Sequence, residues 1–513
     1  MASPPIVLYG RVVTFDPGRP VIEDGALYIG ADQLIAAVQA RKDKAPDGFD
    51  AAPRLETGGC IYPGLMDLHN HIVYNCLSLW SPPGRTEPYT SRYQWPRDRN
   101  YGPMISDPGT ALGALAGKAQ LKYVETKAVI GGVTAIQGSA KTGRPYEGWL
   151  VRNVEHETFR TKKKSVFQSA LPFRDDKGYA AAHKHLKAGA AFIYHLSEGT
   201  DPKLVEEYDK VRDKECLLPG FCAIHCTALE KPNYEEWDTP PQGGAVIWSP
   251  FSNLWLYRDT TDVAAAKAAG MRICLGADWS PSGSKNLLGE LKVADMWNKG
   301  QLQREFSDQE LCAMATCNPA DAIAWPDRLG RLKPGLHGDV LVTTDRGGDP
   351  YRNLIESIER DVLFVAINGE PFYGTTKLMK ASGAEHAEPL TVGGLKRRIV
   401  LIYPGIPDAD MGWADVLKDL EAARKHPEAR WKKVGAKIEQ QHATGEGTPK
   451  DPLLLRLDKP WDEGKHPAKA VRSVVEIPPL DTLTHDAAYF AAVEASPLHG
   501  QRLDGLREYY KRR

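Results

Sequence analysis

The chain has 513 residues, enough for two to four domains, and its 42% hydrophobic and 26% charged residues are the balance of an ordinary folded protein. Lys+Arg (65) and Asp+Glu (66) nearly cancel to a formal net charge of −1, which leaves no electrostatic footprint for nucleic acid. No apolar run is long enough to cross a bilayer, and the opening "MASPPIVLYGRVVTF" lacks the basic stretch and apolar core of a signal peptide, so neither a membrane nor a secretory route is expected.

Residues 1–58 alternate short β-type runs with turns ("IVLYGRVVTF", "GALYIG", "LIAAV"), the spacing of a small β-module. From 59 to 325, apolar runs alternate with Ala- and Lys-rich helical segments. The runs are "VTAIQGS" (133–139), "SVFQSALP" (165–172), "AFIYHLSEG" (191–199), "CAIHCTAL" (222–229), "AVIWSPFSN" (245–253) and "ICLGADWS" (273–280). Helical patterns such as "DPKLVEEYDKVRDK" and "TDVAAAKAAG" fall between them. Strand–helix alternation over this length predicts a parallel sheet, and a closed (β/α)8 barrel fits the size. Residues 326–375 return to strands ("GDVLVTTD", "DVLFVAING") that are expected to complete the N-terminal β-module. Residues 385–513 read as a C-terminal α+β extension, with a helix in "MGWADVLKDLEAARKH" and a Pro- and charge-rich remainder. The eight cysteines are scattered through a long chain, which predicts reduced, buried thiols and a cytoplasmic setting.

Chemistry-bearing residues gather at the ends of these runs. In "YPGLMDLHNHIVYN", His69 and His71 are two apart, a spacing that puts both imidazoles on one side of a strand end. His195 ends the run at 191, and Glu198 follows in "HLSEG". His225 ends "CAIH" and Asp278 ends "LGAD". In a parallel barrel, strand C-termini form the face that carries catalysis. Each residue alone has a plainer reading: Asp278 as a helix N-cap, Glu198 as a solvated loop acid, His225 as a satisfied core histidine. Cys222 and Cys226 bracket His225, and strand alternation sends both to the opposite face, against the helices. His156, His183, His185 and the seven histidines from His337 onward lie in polar or helical surroundings and read as surface residues.

The order His-x-His, His-x-x-Glu, His, Gly-x-Asp resembles the amidohydrolase superfamily, in its deaminase and triazine-hydrolase branch. "GCIYPGLMDLHNH", "GGVTAIQG", "WSPFSN", "CNPADAIAW" and "GRLKPGLHGDVLV" add to the resemblance, which spans residues 5–375. It implies a barrel with a flanking β-sandwich and one divalent metal. Zn2+ is the first expectation, with Fe2+, Co2+ or Mn2+ as alternatives. It further implies His69, His71, His195 and Asp278 as ligands, Asp278 as proton acceptor, Glu198 as general acid, and His225 orienting water or polarising the electrophile. Binuclear members bridge two metals with a Lys; here "SVFQSALP" offers Gln168 and Ser169 at that place, which favours a single metal.

The long first loop, "IVYNCLSLWSPPGRTEPYTSRYQWPRDRNY", is rich in aromatics and reads as a lid for a flat or apolar substrate portion, or as core packing. Tyr74, Trp80, Trp248, Ser252, Asn253 and Trp279 are the candidate pocket residues. Trp248 stands where deaminase relatives more often carry a His, which argues against nucleobase deamination. The expectation is therefore a metal-dependent hydrolase that uses activated water on an amide, urea or carbamate of a small, partly aromatic molecule. Deamination or dehalogenation of an N-heterocycle is the alternative, and a non-enzymatic scaffold the third reading. A homo-oligomer acting on a small molecule is expected.

Overall fold

The computed structural model describes residues 4–138, 150–161, 163–169, 172–173, 175–237, 244–384, 386–402, 410–444, 467–474 and 476–511. Among these, strands β1 (Ile6–Val13), β2 (Val21–Ile29), β3 (Ile35–Ala40) and β4 (Arg54–Pro63) open the chain. Eight short strands follow: β5 (Leu65–Asp67), β6 (Val133–Ile136), β7 (Arg152–Asn153), β8 (Val166–Ser169), β9 (Ala191–Leu196), β10 (Phe221–His225), β11 (Ala245–Trp248) and β12 (Arg272–Leu275). Five more complete the set: β13 (Val340–Thr344), β14 (Val362–Ile367), β15 (Glu370–Thr375), β16 (Glu388–Val392) and β17 (Leu395–Ile399).

The strands β5 to β12 are parallel and stand in chain order, in a three-stranded and a five-stranded sheet. The two sheets meet where Asn70 bridges Asp278: the Asp278 N–H donates to the His69 carbonyl (2.8 Å) and the His71 N–H to the Asp278 carbonyl (3.0 Å). No ladder joins β7 to β8 among the described residues. All eight strands, or the residues that directly follow them, contribute to one apolar cluster: Met66, Ala135, Val154, Val166, Ile193, Ile224, Ile247 and Cys274. Such a shared interior, with helices such as Val205–Asp213 and Val263–Ala268 between strands, is that of a TIM-barrel-like α/β fold.

The real strands stop earlier than the apolar runs. β11 ends at Trp248, and "SPFSN", expected to continue it, opens the helix Pro250–Tyr257, where Pro250 suits the first turn. The two-residue strand β7 carries no apolar run and escaped sequence reading.

Both ends of the core and the start of the extension share one nine-stranded sheet, ordered β16-β17-β15-β14-β13-β4-β1-β2-β3. β4 continues in this sheet to Pro63, past the expected boundary at 58, because its inner half pairs with β13 from Gly59 to Pro63. "RRIVLIYPG", expected to open a separate region, instead supplies β17, which pairs with β15 at Tyr373–Thr375. The segment 476–511, with its helix Ala487–Ala495, packs back against the helix Pro250–Tyr257 through Tyr489 on Phe251 and His499 on Trp255. No described helix is long and apolar enough to cross a membrane. All eight cysteines are buried and unbridged.

Candidate metal centre

β5 ends at Asp67, two residues short of His69, so the His-x-His pair sits in the turn beyond the strand. Asp67 builds that turn: its carboxylate accepts from the His69 N–H (3.2 Å), the Ala277 N–H (3.2 Å) and the Asn70 amide (3.0 Å). Burial pushes the Asp67 carboxyl up to about 7 against the pull of those three donors. Gly276 is required beside it, because a Cβ there would lie 2.3 Å from the His69 Cβ. Asp278 follows at φ +59°, a left-handed conformation rare for a side-chain-bearing residue.

The geometry gathers all six predicted residues. Asp278 Oδ1 lies 3.3 Å from His69 Nε2 and 3.6 Å from His71 Nε2. His69 Nε2 faces His195 Nε2 at 3.1 Å. His225 Nε2 is 3.6 Å from Glu198 Oε2. Every one of these side chains is buried, Glu198 included, so its reading as a solvated loop acid falls. Two overlapping sets, His69/His71/Asp278 and His69/His195/His225, bring their ligand atoms within 4.8 Å of one another.

Three observations test whether a divalent cation fits. Asp278 Oδ1 is buried and accepts no hydrogen bond in the described structure, the kind of orphaned acceptor that folded proteins avoid. Next, His69 Nδ1 is 2.6 Å from Ser249 Oγ, so with Nδ1–H donating there its Nε2 lone pair faces His195 Nε2. Finally, burial, and after it the nearby His69 ring and Arg92, hold the His195 imidazole well below its usual pKa, in the neutral form that binds metal. Imidazole and carboxylate donors of this kind suit zinc-type cations. The residues fit the group.

His225 reaches the site by an unexpected route. It sits at φ +68°, with Cys226 at +55°, and these two left-handed residues break the strand alternation. Cys222 therefore packs inside the barrel-like cluster and Cys226 on the helix side, where both were expected on the helix side. The His225 ring is fixed by its Nδ1–H, which donates to Asn253 Oδ1 at 2.7 Å. Asn253 can only accept there, since its amide nitrogen is spent on Thr260 and Thr261 (both 3.2 Å).

Sequence reasoning missed the partners of Glu198. Its Oε1 accepts from the Tyr257 hydroxyl (2.6 Å), and its Oε2 lies 3.7 Å from Arg92 Nε. Arg92, buried, also donates to the His195 carbonyl (3.2 Å). It comes from the middle of the aromatic loop, where nothing in the local pattern marks it.

The candidate pocket residues divide. Ser252 donates to Asp278 Oδ2 at 2.6 Å. Trp279 forms an aromatic wall with Tyr74 (5.0 Å between ring centres), Trp95 (5.6 Å) and His71 (6.2 Å). Trp80 lies in the same loop, against Tyr89 (6.4 Å) and Tyr101 (5.8 Å). Trp248 does not join them: its indole N–H donates to Thr260 Oγ1 (2.7 Å) on the helix side, and Ser249 takes the inward position. Among the histidines read as surface residues, His485 and His499 are buried: the first pairs with Glu359 (2.6 Å), the second bonds the Val493 carbonyl (2.9 Å).

The amidohydrolase family matches residues 181–371. A 5-methylthioadenosine/S-adenosylhomocysteine deaminase of Nitratidesulfovibrio vulgaris is 25% identical over 374 residues, covering 64% of this chain and 82% of its own. The chain resembles the amidohydrolase superfamily in both comparisons. A Bacillus cereus deaminase of the same name is 21% identical over 69% of this chain and 88% of its own length. Zinc-bound adenosine deaminase from Xanthomonas campestris superposes with a TM-score of 0.57 at 17% identity, covering 74% of this chain and 96% of its own. Zinc-complexed atrazine chlorohydrolase from Arthrobacter aurescens gives 0.55 at 17% identity, covering 72% and 95%. These likenesses make the protein a metal-dependent hydrolase of carbon–nitrogen bonds other than peptide bonds.

Proposed function

We propose that this enzyme hydrolytically displaces an amino or comparable group from a ring carbon of a small nitrogen heterocycle. One observation carries the reading: Asp278 among imidazoles on one side of the site faces a buried Glu198–His225 pair, 3.6 Å apart, on the other. The deaminases among its relatives support it. So does the position of Trp248, whose outward indole removes the sequence argument that placed amides, ureas and carbamates first.

His69, His71, His195 and Asp278 would hold the divalent cation, with Zn2+ favoured by the zinc in the matched structures, and such a cation makes water acidic enough to attack at neutral pH. The Asp278 carboxylate, steadied by Ser252, is placed to accept a proton from the attacking water. Glu198, held between Tyr257 and Arg92, is placed to deliver a proton to a substrate nitrogen, a role worth about 10²–10⁴-fold in rate. His225, its Nδ1–H spent on Asn253, turns Nε2 to the oxygen that adds. In a deamination, water adds to the ring carbon, the C–N bond breaks and ammonia leaves with the transferred proton. The aromatic wall of Trp279, Tyr74 and Trp95 suits a flat ring.

We read the eight parallel strands as a (β/α)8 barrel, the nine-stranded sheet as the flanking β-sandwich extended past its expected ends, and the remainder as the C-terminal extension. Unbridged, buried thiols support a cytoplasmic setting. Self-association is proposed on the resemblance, with light scattering as its test. The test of the reaction is a screen of metal-loaded enzyme on aminated or halogenated purines, pyrimidines and triazines against amides, ureas and carbamates. Release of ammonia or halide from a heterocycle is expected. Amine and acid products from ureas or carbamates, with heterocycles untouched, would overturn the proposal.

A further inference from the structure

The segment 476–511 lies far along the chain from all four ligands, yet one of its carboxylates is buried against the loop that follows His71. Asp481 is tied down by its backbone: its N–H donates to the Cys76 carbonyl at 2.9 Å, and its carbonyl accepts from the Tyr123 hydroxyl. Its Oδ2 is 2.6 Å from the ammonium of Lys127, on the long helix Asp107–Ile130, and its Oδ1 is 3.0 Å from Lys285. Lys127 donates onward to the Asn75 carbonyl (2.5 Å) and to Ser280 Oγ (2.9 Å). Asn75 stands four residues after His71, and Ser280 two after Asp278. The two loops are themselves joined, since the Ser280 N–H donates to Asn75 Oδ1 at 2.9 Å. The Asn75 amide then donates to Oδ1 of Asn70 (3.0 Å), the residue between His69 and His71.

We propose that Asp481 is a positioning residue for the metal centre, anchoring the Lys127 ammonium that fastens the loop after His71 to the loop after Asp278. The proposal rests on the metal reading above. Its physical basis is charge balance in a buried place. Lys127 and Lys285 are both inside the protein, and Asp481 is the carboxylate they share. A buried ammonium stays charged and fixed only when a counter-charge holds it. With Asp481 in place, Lys127 keeps three acceptors from three separate segments, and the Asn75–Ser280 clasp keeps its register. Without it, two like charges face each other, Lys127 loses its fixed position, and the clasp that supports the backbone pairing of His69 and His71 with Asp278 loosens. Outer partners of metal ligands commonly control affinity by ten- to a hundredfold in this way.

Asp481→Asn tests this, since it keeps the side chain's shape and both backbone bonds and removes only the charge. Zn2+ affinity by competition with a chromophoric chelator is read beside the thermal midpoint. Phe490→Leu is the comparison: it loosens the same segment, where Phe490 packs on Tyr489 and Tyr510, without touching Lys127. About a ten- to hundredfold rise in Kd for Asp481→Asn is expected, with Phe490→Leu within about twofold of wild type. If Asp481→Asn does not fold, Asp481→Asn/Lys285→Met removes the like-charge repulsion and is measured in its place, with the same rise expected. An unchanged Kd, or equal weakening in the Phe490→Leu protein, overturns the positioning role. A wild-type protein that holds no Zn2+ overturns the metal reading itself, and this inference with it.

Discussion

Ser249 gives the sharpest test of how the centre is built. Its Oγ is 2.6 Å from His69 Nδ1, and both residues are fully buried. The contact sets the His69 tautomer, with Nδ1–H on Ser249 and the Nε2 lone pair on the site. Ser249→Ala removes the acceptor and leaves the buried N–H without the Ser249 oxygen. An unsatisfied buried donor costs about 1–3 kcal/mol. Charged against the metal-competent tautomer, that cost is about a ten- to hundredfold loss of metal affinity, the range known for outer partners of ligating histidines. Chelator competition measures it directly. Trp248→Phe is the matched control one residue away, because it removes the indole donor to Thr260 and leaves the imidazole untouched. Ser249→Ala is expected to weaken the metal, and Trp248→Phe to cost stability alone. Equal metal affinity in Ser249→Ala and wild type, or equal loss in both variants, would refute the reasoning.

Further outcomes follow from the same geometry. His71→Ala and Asp278→Ala should each strip the metal and abolish turnover while circular dichroism stays native; unchanged metal content in both would sink the ligand assignment. Glu198→Gln should retain the metal and slow turnover by about 10²–10⁴-fold, and an unaffected rate would remove Glu198 from catalysis. Restoring free metal to a hundred times its Kd should stabilise the chelated protein by about 2.7 kcal/mol, read as a higher thermal midpoint, and no shift would contradict a site present only in the folded state.

The sequence by itself marked the side chains that the fold brings together at the candidate site. His69, His71, His195, His225, Glu198 and Asp278 each close an apolar β-type run, and a parallel arrangement delivers such run ends to one face whatever lies between them. It also disclosed the single-metal expectation, through the absence of a lysine at Gln168. What it left undetermined was direction. Alternation placed Cys222 and Cys226 together against the helices, and its place at the end of "AVIW" made Trp248 a candidate pocket residue. The left-handed backbone at His225 and Cys226, and the inward Ser249, reversed both. Backbone sign depends on what the chain meets after the strand ends, and that is a tertiary fact. Partners from remote segments were equally invisible: Arg92 from the aromatic loop, Tyr257 from a helix whose first turn was read as strand, and Asp481 from an extension with no recognisable motif. A buried charge is legible only beside the charge that balances it, and here the chain's three-dimensional path alone sets them side by side.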